Sequence, residues 1–126
     1  MQDNKPDFDA PELARAIETL SADLIDTLPF GCVRLDANGI VVFYSTTERQ
    51  LSGSGDRARV GLDFFTQVAP CMSAPAFRGR LESAMHTGRL DLEFGWVGDF
   101  DDAQREMRVR IQSATGGGCW IFIQRA

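Results

Sequence analysis

The chain has 126 residues, 44% apolar and 25% charged, which fits one globular domain with room for a real core. Thirteen basic residues against eighteen acidic ones leave a net charge of −5, and this argues against a nucleic-acid surface with its usual basic stripe. No apolar run approaches the ~20 residues of a membrane span, and the polar start Met1–Pro6 lacks a signal-peptide core, so a cytoplasmic protein is expected.

Residues 1–8 read as a polar tail. Asp9 is placed to cap a first helix with Pro11 in its first turn and Leu13, Ile17 and Leu20 on one face. Ser21 is placed to cap a second, carrying Leu24, Ile25 and Leu28 and ended by Pro29. Such short helices are not stable alone, so residues 1–28 are expected to form a helical cap docked on a main body spanning 29–126.

Gly31–Leu35 and Ile40–Tyr44 read as two strands joined by the turn Asp36–Gly39. Ser45-Thr46-Thr47 can start a short helix, Ser52–Gly55 is a turn, and Gly61 begins another irregular piece. Pro75 opens the longest predicted helix, with Phe77, Leu81, Ala84 and Met85 on one face and Gly88 at its end. Leu90–Trp96, Met107–Ile111 and Cys119–Ile123 follow as strands, with an acidic loop at 98–103 and a glycine turn at Thr115–Gly118. Short connections make the sheet antiparallel, with helices mainly on one face. The predicted class is α+β, a PAS arrangement with a central five-stranded antiparallel sheet and an N-terminal helical cap.

The chemistry-bearing residues are few. Cys32, Cys71 and Cys119 contain no CxxC pair and are odd in number, so they make neither a complete disulfide framework nor a zinc site. With His86 the single histidine, no base stands ready to activate a thiol, and catalysis is not expected. Cys32 and Cys119 read as small buried hydrophobes. Cys71 differs, because it ends the aromatic and apolar run Asp63-Phe64-Phe65-Thr66-Gln67-Val68-Ala69-Pro70-Cys71, which can wall a dry cavity. Tyr44, Glu48 and Ser52, upstream, offer a phenol, a carboxyl and a hydroxyl to a polar group. Asp99, Asp101 and Asp102 lack the spacing of a calcium loop and read as solvated.

Several motifs resemble the photoactive yellow protein family, the blue-light receptors of the PAS group. They are Leu28-Pro29-Phe30-Gly31, Leu35-Asp36, Asn38-Gly39, Tyr44, Glu48, Val60-Gly61, Phe64-Phe65 and Val68-Ala69-Pro70-Cys71, followed by Pro75, Phe77, Gly79, Gly88, Glu93-Phe94, Val109, Trp120 and Phe122. The resemblance runs from Leu28 to Arg125. It implies p-hydroxycinnamic acid (p-coumaric acid) held as a thioester on Cys71. Its phenolate would be held by Tyr44 and Glu48, with Ser52 supporting the tyrosine and Phe64 lining the pocket. The chain departs from the family at Ser54, where many members carry arginine, and at Gly98 and Asp102, usually an aromatic and a methionine. Loss of that methionine contact implies slow return to the dark state.

A free phenol titrates near about 10 and a free glutamate near about 4.3, so burial and paired hydrogen bonds must invert that order for a neutral acid to sit beside a phenolate. Light would then move the Glu48 proton and leave a buried carboxylate, whose uncompensated charge costs about 3–5 kcal/mol. The expected result is opening of the cap toward a downstream protein partner, with the chain itself a monomer or weak dimer. The competing expectation is a PAS-type ligand-binding or dimerisation module without a covalent chromophore.

Overall fold

The computed structural model describes residues 6–51, 60–64, 67, 79, 91–97 and 106–125. The chain begins with helices α1 (Leu13–Glu18) and α2 (Ala22–Ile25), then strands β1 (Gly31–Leu35) and β2 (Val41–Tyr44) and helix α3 (Thr46–Leu51). Strands β3 (Asp91–Val97), β4 (Glu106–Ser113) and β5 (Cys119–Arg125) complete one antiparallel sheet in the order β2-β1-β5-β4-β3. Of the longest predicted helix only Gly79 is described, and it is helical. The turn at 52–55, His86 and the acidic loop at 98–103 lie outside the described residues.

The first hairpin turns where Asp36 makes the turn itself. Its carboxylate accepts the N–H of Asn38 at 2.8 Å and of Ile40 at 3.0 Å, giving the backbone a local partner in place of the ladder. Ile40 therefore falls just outside β2 and bridges to Asp63. The second tight turn needs its glycines. Gly116, Gly117 and Gly118 all have positive φ, and a Cβ on Gly118 would overlap the carbonyl oxygen of Leu35. That close approach lets β5 leave the turn directly alongside β1.

Alternation along the strands divides the interior in two. Val33, Leu35, Val41, Tyr44, Met107, Val109, Ile111, Cys119, Ile121 and Ile123 pack on one face together with Phe64. Cys32, Trp120 and Phe122 point to the other, where Phe8, Leu13, Ala14, Ile17, Ile25, Leu28 and Phe30 cover them. Phe30 meets Phe8 and Phe122 edge-on at ring separations of 5.5 and 6.2 Å. The N-terminal helices thus lie on the sheet face opposite Tyr44 and Phe64.

Two details of that docking differ from the sequence expectation. Asp9 does not cap α1, whose first turn has no side-chain cap; its carboxylate is drawn away to Arg108 of β4 at 2.6 Å. Leu24 is exposed, because α2 ends at Ile25 after one turn and too few residues share its inner face. Ser21 does cap α2, accepting the N–H of Leu24. The polar residues of β4, which alternation alone would send to solvent, form the seat for the N-terminal segment. Arg110 donates to the carbonyls of Phe8 and Ala10 at 2.6 and 2.7 Å, and Gln112 accepts from Ala14 N–H at 2.7 Å while donating to Pro11 O at 3.0 Å. Both are almost fully buried.

Candidate functional site

The site grows from the junction of β2 and α3. Tyr44 closes β2, and Ser45 turns the chain: its hydroxyl accepts the N–H of Glu48 at 3.2 Å and that of Cys32 at 3.0 Å. One buried hydroxyl therefore satisfies the first turn of α3 and pins it to β1. The Asp26 carboxylate accepts the N–H of Thr46 at 2.8 Å, and the Thr47 hydroxyl donates to Leu28 O at 2.7 Å. The helix that carries Glu48 is thus bonded directly to residues 26–28, where the N-terminal helices end.

Glu48 is 2% exposed, unusual for a glutamate and explained by its partner. Arg125, the last residue of β5, donates Nη1 to Oε1 at 2.7 Å and Nη2 to Oε2 at 2.8 Å. Gly31 makes room for the carboxyl: a Cβ there would overlap Glu48 Oε1 and lie 2.9 Å from its Cβ and Cδ. Tyr44 and Phe64 are buried on the same face, at 6% and 2% exposure. Three of the predicted site residues, Tyr44, Glu48 and Phe64, therefore have buried places in the described structure. Cys71, Ser52, Ser54, Gly98 and Asp102 lie outside the described residues.

Arg125 is the residue that sequence reasoning missed. A signal was available, because Arg125 continues the row Cys119, Ile121, Ile123, whose members all face the Tyr44 side. An arginine at an inward position asks for a buried anion, and Glu48 supplies it.

The two described thiols are inert. Burial pushes Cys119 up to about 12. Burial, with Glu48 and Asp26 nearby, pushes Cys32 strongly up as well. Neither thiol offers a thiolate at neutral pH. A separate open cleft of about 490 Å³, bordered by Ile17, Leu20, Arg34, Phe43 and Trp120, lies by the N-terminal helices. No described helix is long and apolar enough to cross a membrane.

A five-stranded antiparallel sheet in this order, with a short helix after the second strand, is the architecture of a PAS domain. A PAS domain from Colwellia psychrerythraea superposes with a TM-score of 0.64 over 87% of this chain and 97% of its own at 13% identity, a likeness of fold alone. The photoactive yellow protein domain from the sensor histidine kinase Ppr of Rhodospirillum centenum superposes with a TM-score of 0.72 at 34% identity, covering 86% of this chain and 95% of that one. The photoactive yellow protein of Rhodothalassium salexigens is 30% identical over 119 residues, 94% of this chain and 95% of the relative. That of Halochromatium salexigens is 29% identical over 119 residues, again 94% and 95%. No protein-family model matches the chain. The chain belongs to the photoactive yellow protein family.

Proposed function

We propose that the chain is a blue-light receptor with p-hydroxycinnamic acid bound as a thioester to Cys71. When bound, that group supplies a double bond that isomerises on absorbing light and a phenol able to exchange a proton. The residues at the phenol end fit it in kind. Tyr44 brings a hydroxyl donor and Glu48 a carboxyl that donates when protonated, both buried on the face that Phe64 also lines. In such a dry place two charge-assisted hydrogen bonds weigh more than they do in water. Cys71 is the tether, Ser52 the support of Tyr44, and Ser54, Gly98 and Asp102 border the pocket. Asp102, standing where methionine is usual, slows the return to the dark state.

The observation that carries this reading is the burial of Tyr44 and Glu48 on one sheet face in a chain of this family. Glu48 also stands where a change in its charge is felt at the cap. Its helix is held by Asp26 and by the carbonyl of Leu28. Helices α1 and α2, of six and four residues, have no stability of their own and depend on docking. Release of residues 1–28 from the sheet is the proposed output, offered to a partner protein in the cytoplasm, without catalytic turnover.

Incubation with an activated p-hydroxycinnamic acid tests this directly. The protein should turn yellow, gain the mass of one acyl group, and lose both properties in Cys71→Ala. A colourless protein of unchanged mass would instead make this a PAS module that binds its ligand reversibly or serves dimerisation.

A further inference from the structure

The two hydrogen bonds between Arg125 and Glu48 are parallel, one to each carboxylate oxygen, and the side chains are 5% and 3% exposed. A carboxyl that keeps its proton on one oxygen cannot accept at both in this way, so the geometry is that of ionised Glu48. Three elements are shaped around the pair. β1 contributes Gly31, whose missing side chain leaves space for the carboxyl, α3 contributes Glu48, and β5 places Arg125 in its inward-facing row. Among the described residues, ionisable groups near Glu48 include Arg49 beside it on α3 and Cys32 of β1, with Tyr44 in the cluster on the inward face of Val33 and Ile123 and Asp26 bonded to the start of α3. Cys32 remains a thiol, and Asp26 is engaged with the N–H of Thr46.

We infer that Arg125 is the resident counter-ion of Glu48, so that the carboxyl has two seats: ionised on Arg125, or protonated and turned toward Tyr44. The functional part of this inference rests on the photosensor reading, whereas the pairing does not. When protonated Glu48 gives its proton to the oxygen it had been donating to, the carboxylate left behind is not an orphan charge. Arg125 receives it, at the cost of a small movement of one side chain. The state with ionised Glu48 is thereby lengthened in lifetime, and the force it exerts is directed at the joint between α3, the start of β1 and the end of β5. Arg125 is a positioning residue in this scheme.

Infrared difference spectra between the apoprotein and its Glu48→Gln variant decide the first part. At neutral pH wild type should show no un-ionised carboxylic acid from Glu48. Arg125→Gln should show one, and Arg125→Lys, which keeps the charge, should not. An acid signal from Glu48 in the wild-type apoprotein, or none in Arg125→Gln, overturns the inference; the wild-type measurement stands even where a variant fails to fold. In protein loaded with p-hydroxycinnamic acid, the light-bleached state should decay at least about tenfold faster in Arg125→Gln than in wild type, as loss of a favourable charge partner requires. Equal lifetimes overturn the counter-ion role in the light state. Failure of wild type to take up the acid defeats the photosensor reading while the apoprotein spectra still decide the pairing.

Discussion

The indole N–H of Trp120 donates to the Glu18 carboxylate at 3.0 Å, fastening the last turn of α1 to β5. The same carboxylate accepts the backbone N–H of Thr115 at 2.9 Å and its hydroxyl at 2.8 Å, with Arg15 beside it at 2.8 Å. Arg15 in turn reaches the Thr115 hydroxyl and the carbonyl of Ser113. One acidic side chain thus holds a short helix on the sheet, and the hold depends on its charge.

That dependence predicts an acid-sensitive cap. Burial pushes the Glu18 carboxyl up, but the hydrogen bonds from Thr115 and Trp120 and the charge of Arg15 outweigh it and leave the carboxyl below its ordinary value of 4.5. A carboxyl lowered on folding adds stability above its unfolded value, and that stability is lost as pH falls through the folded value. Hydrogen exchange in residues 13–18 should therefore quicken as pH drops below about 4.5 once intrinsic exchange is corrected for. Glu18→Gln should weaken docking at neutral pH and remove most of that added acid sensitivity.

Arg110 predicts a second anchor. Its guanidinium, almost fully buried, donates to the carbonyls of Phe8 and Ala10. Hydrogen bonds to a charged group contribute about 1.5–3 kcal/mol, so Arg110→Met should release the segment before α1 by a margin of that order. Limited proteolysis should then cut within residues 7–12 much faster than in wild type, while β4 stays paired. Unchanged cleavage would show that Phe8 and its aromatic neighbours hold the segment without help.

Arg110 also shows where the sequence was legible and where it was not. Period-two alternation and turn residues located all five strands, and the inward rows were readable from Val33, Leu35, Val109, Ile111 and Ile121. The same alternation assigns Arg108, Arg110 and Gln112 correctly to one face but cannot say what covers that face. The cover comes from about one hundred residues away in the chain. Asp9 illustrates the reverse problem: its local use as a helix cap competes with a distant arginine, and Arg108 wins. Tyr44 and Glu48 were visible as a phenol and a carboxyl four residues apart. The burial of Glu48 is built by Ser45, Gly31 and Arg125, which only the folded sheet brings together.

The Glu48–Arg125 pair predicts a marked non-additivity in stability. Removing one member of a buried ion pair typically costs about 3–5 kcal/mol, because the partner left in a dry place must either stay charged there or give up its charge. Arg125→Met and Glu48→Met should each destabilise the apoprotein by an amount of that order. The double variant, with two apolar side chains filling the space, should lie much nearer wild type. Urea denaturation of the four proteins measures the coupling. Additive losses would mean that water reaches the pair and screens it.

Gly31 gives the most local of these tests. In a strand, alanine is ordinarily better than glycine by about 0.5–1 kcal/mol, since glycine loses more backbone freedom on folding. Here the sign should reverse. A methyl group at 31 would overlap Glu48 Oε1 and stand 2.9 Å from both Cδ and Cβ of the same residue. Turning the carboxyl away relieves the first two clashes but not the third, because Glu48 Cβ is fixed by α3. The helix would have to shift, and Ser45 and Asp26 hold its first turn in place. Overpacking of this kind costs about 1–3 kcal/mol, so Gly31→Ala should destabilise the protein despite the gain in strand preference. Placed in a Glu48→Ala background, the same substitution should cost less but should still cost something, since the Cβ remains. Full recovery in that background would place the whole clash at the carboxyl, and no relief at all would place it in the backbone of α3.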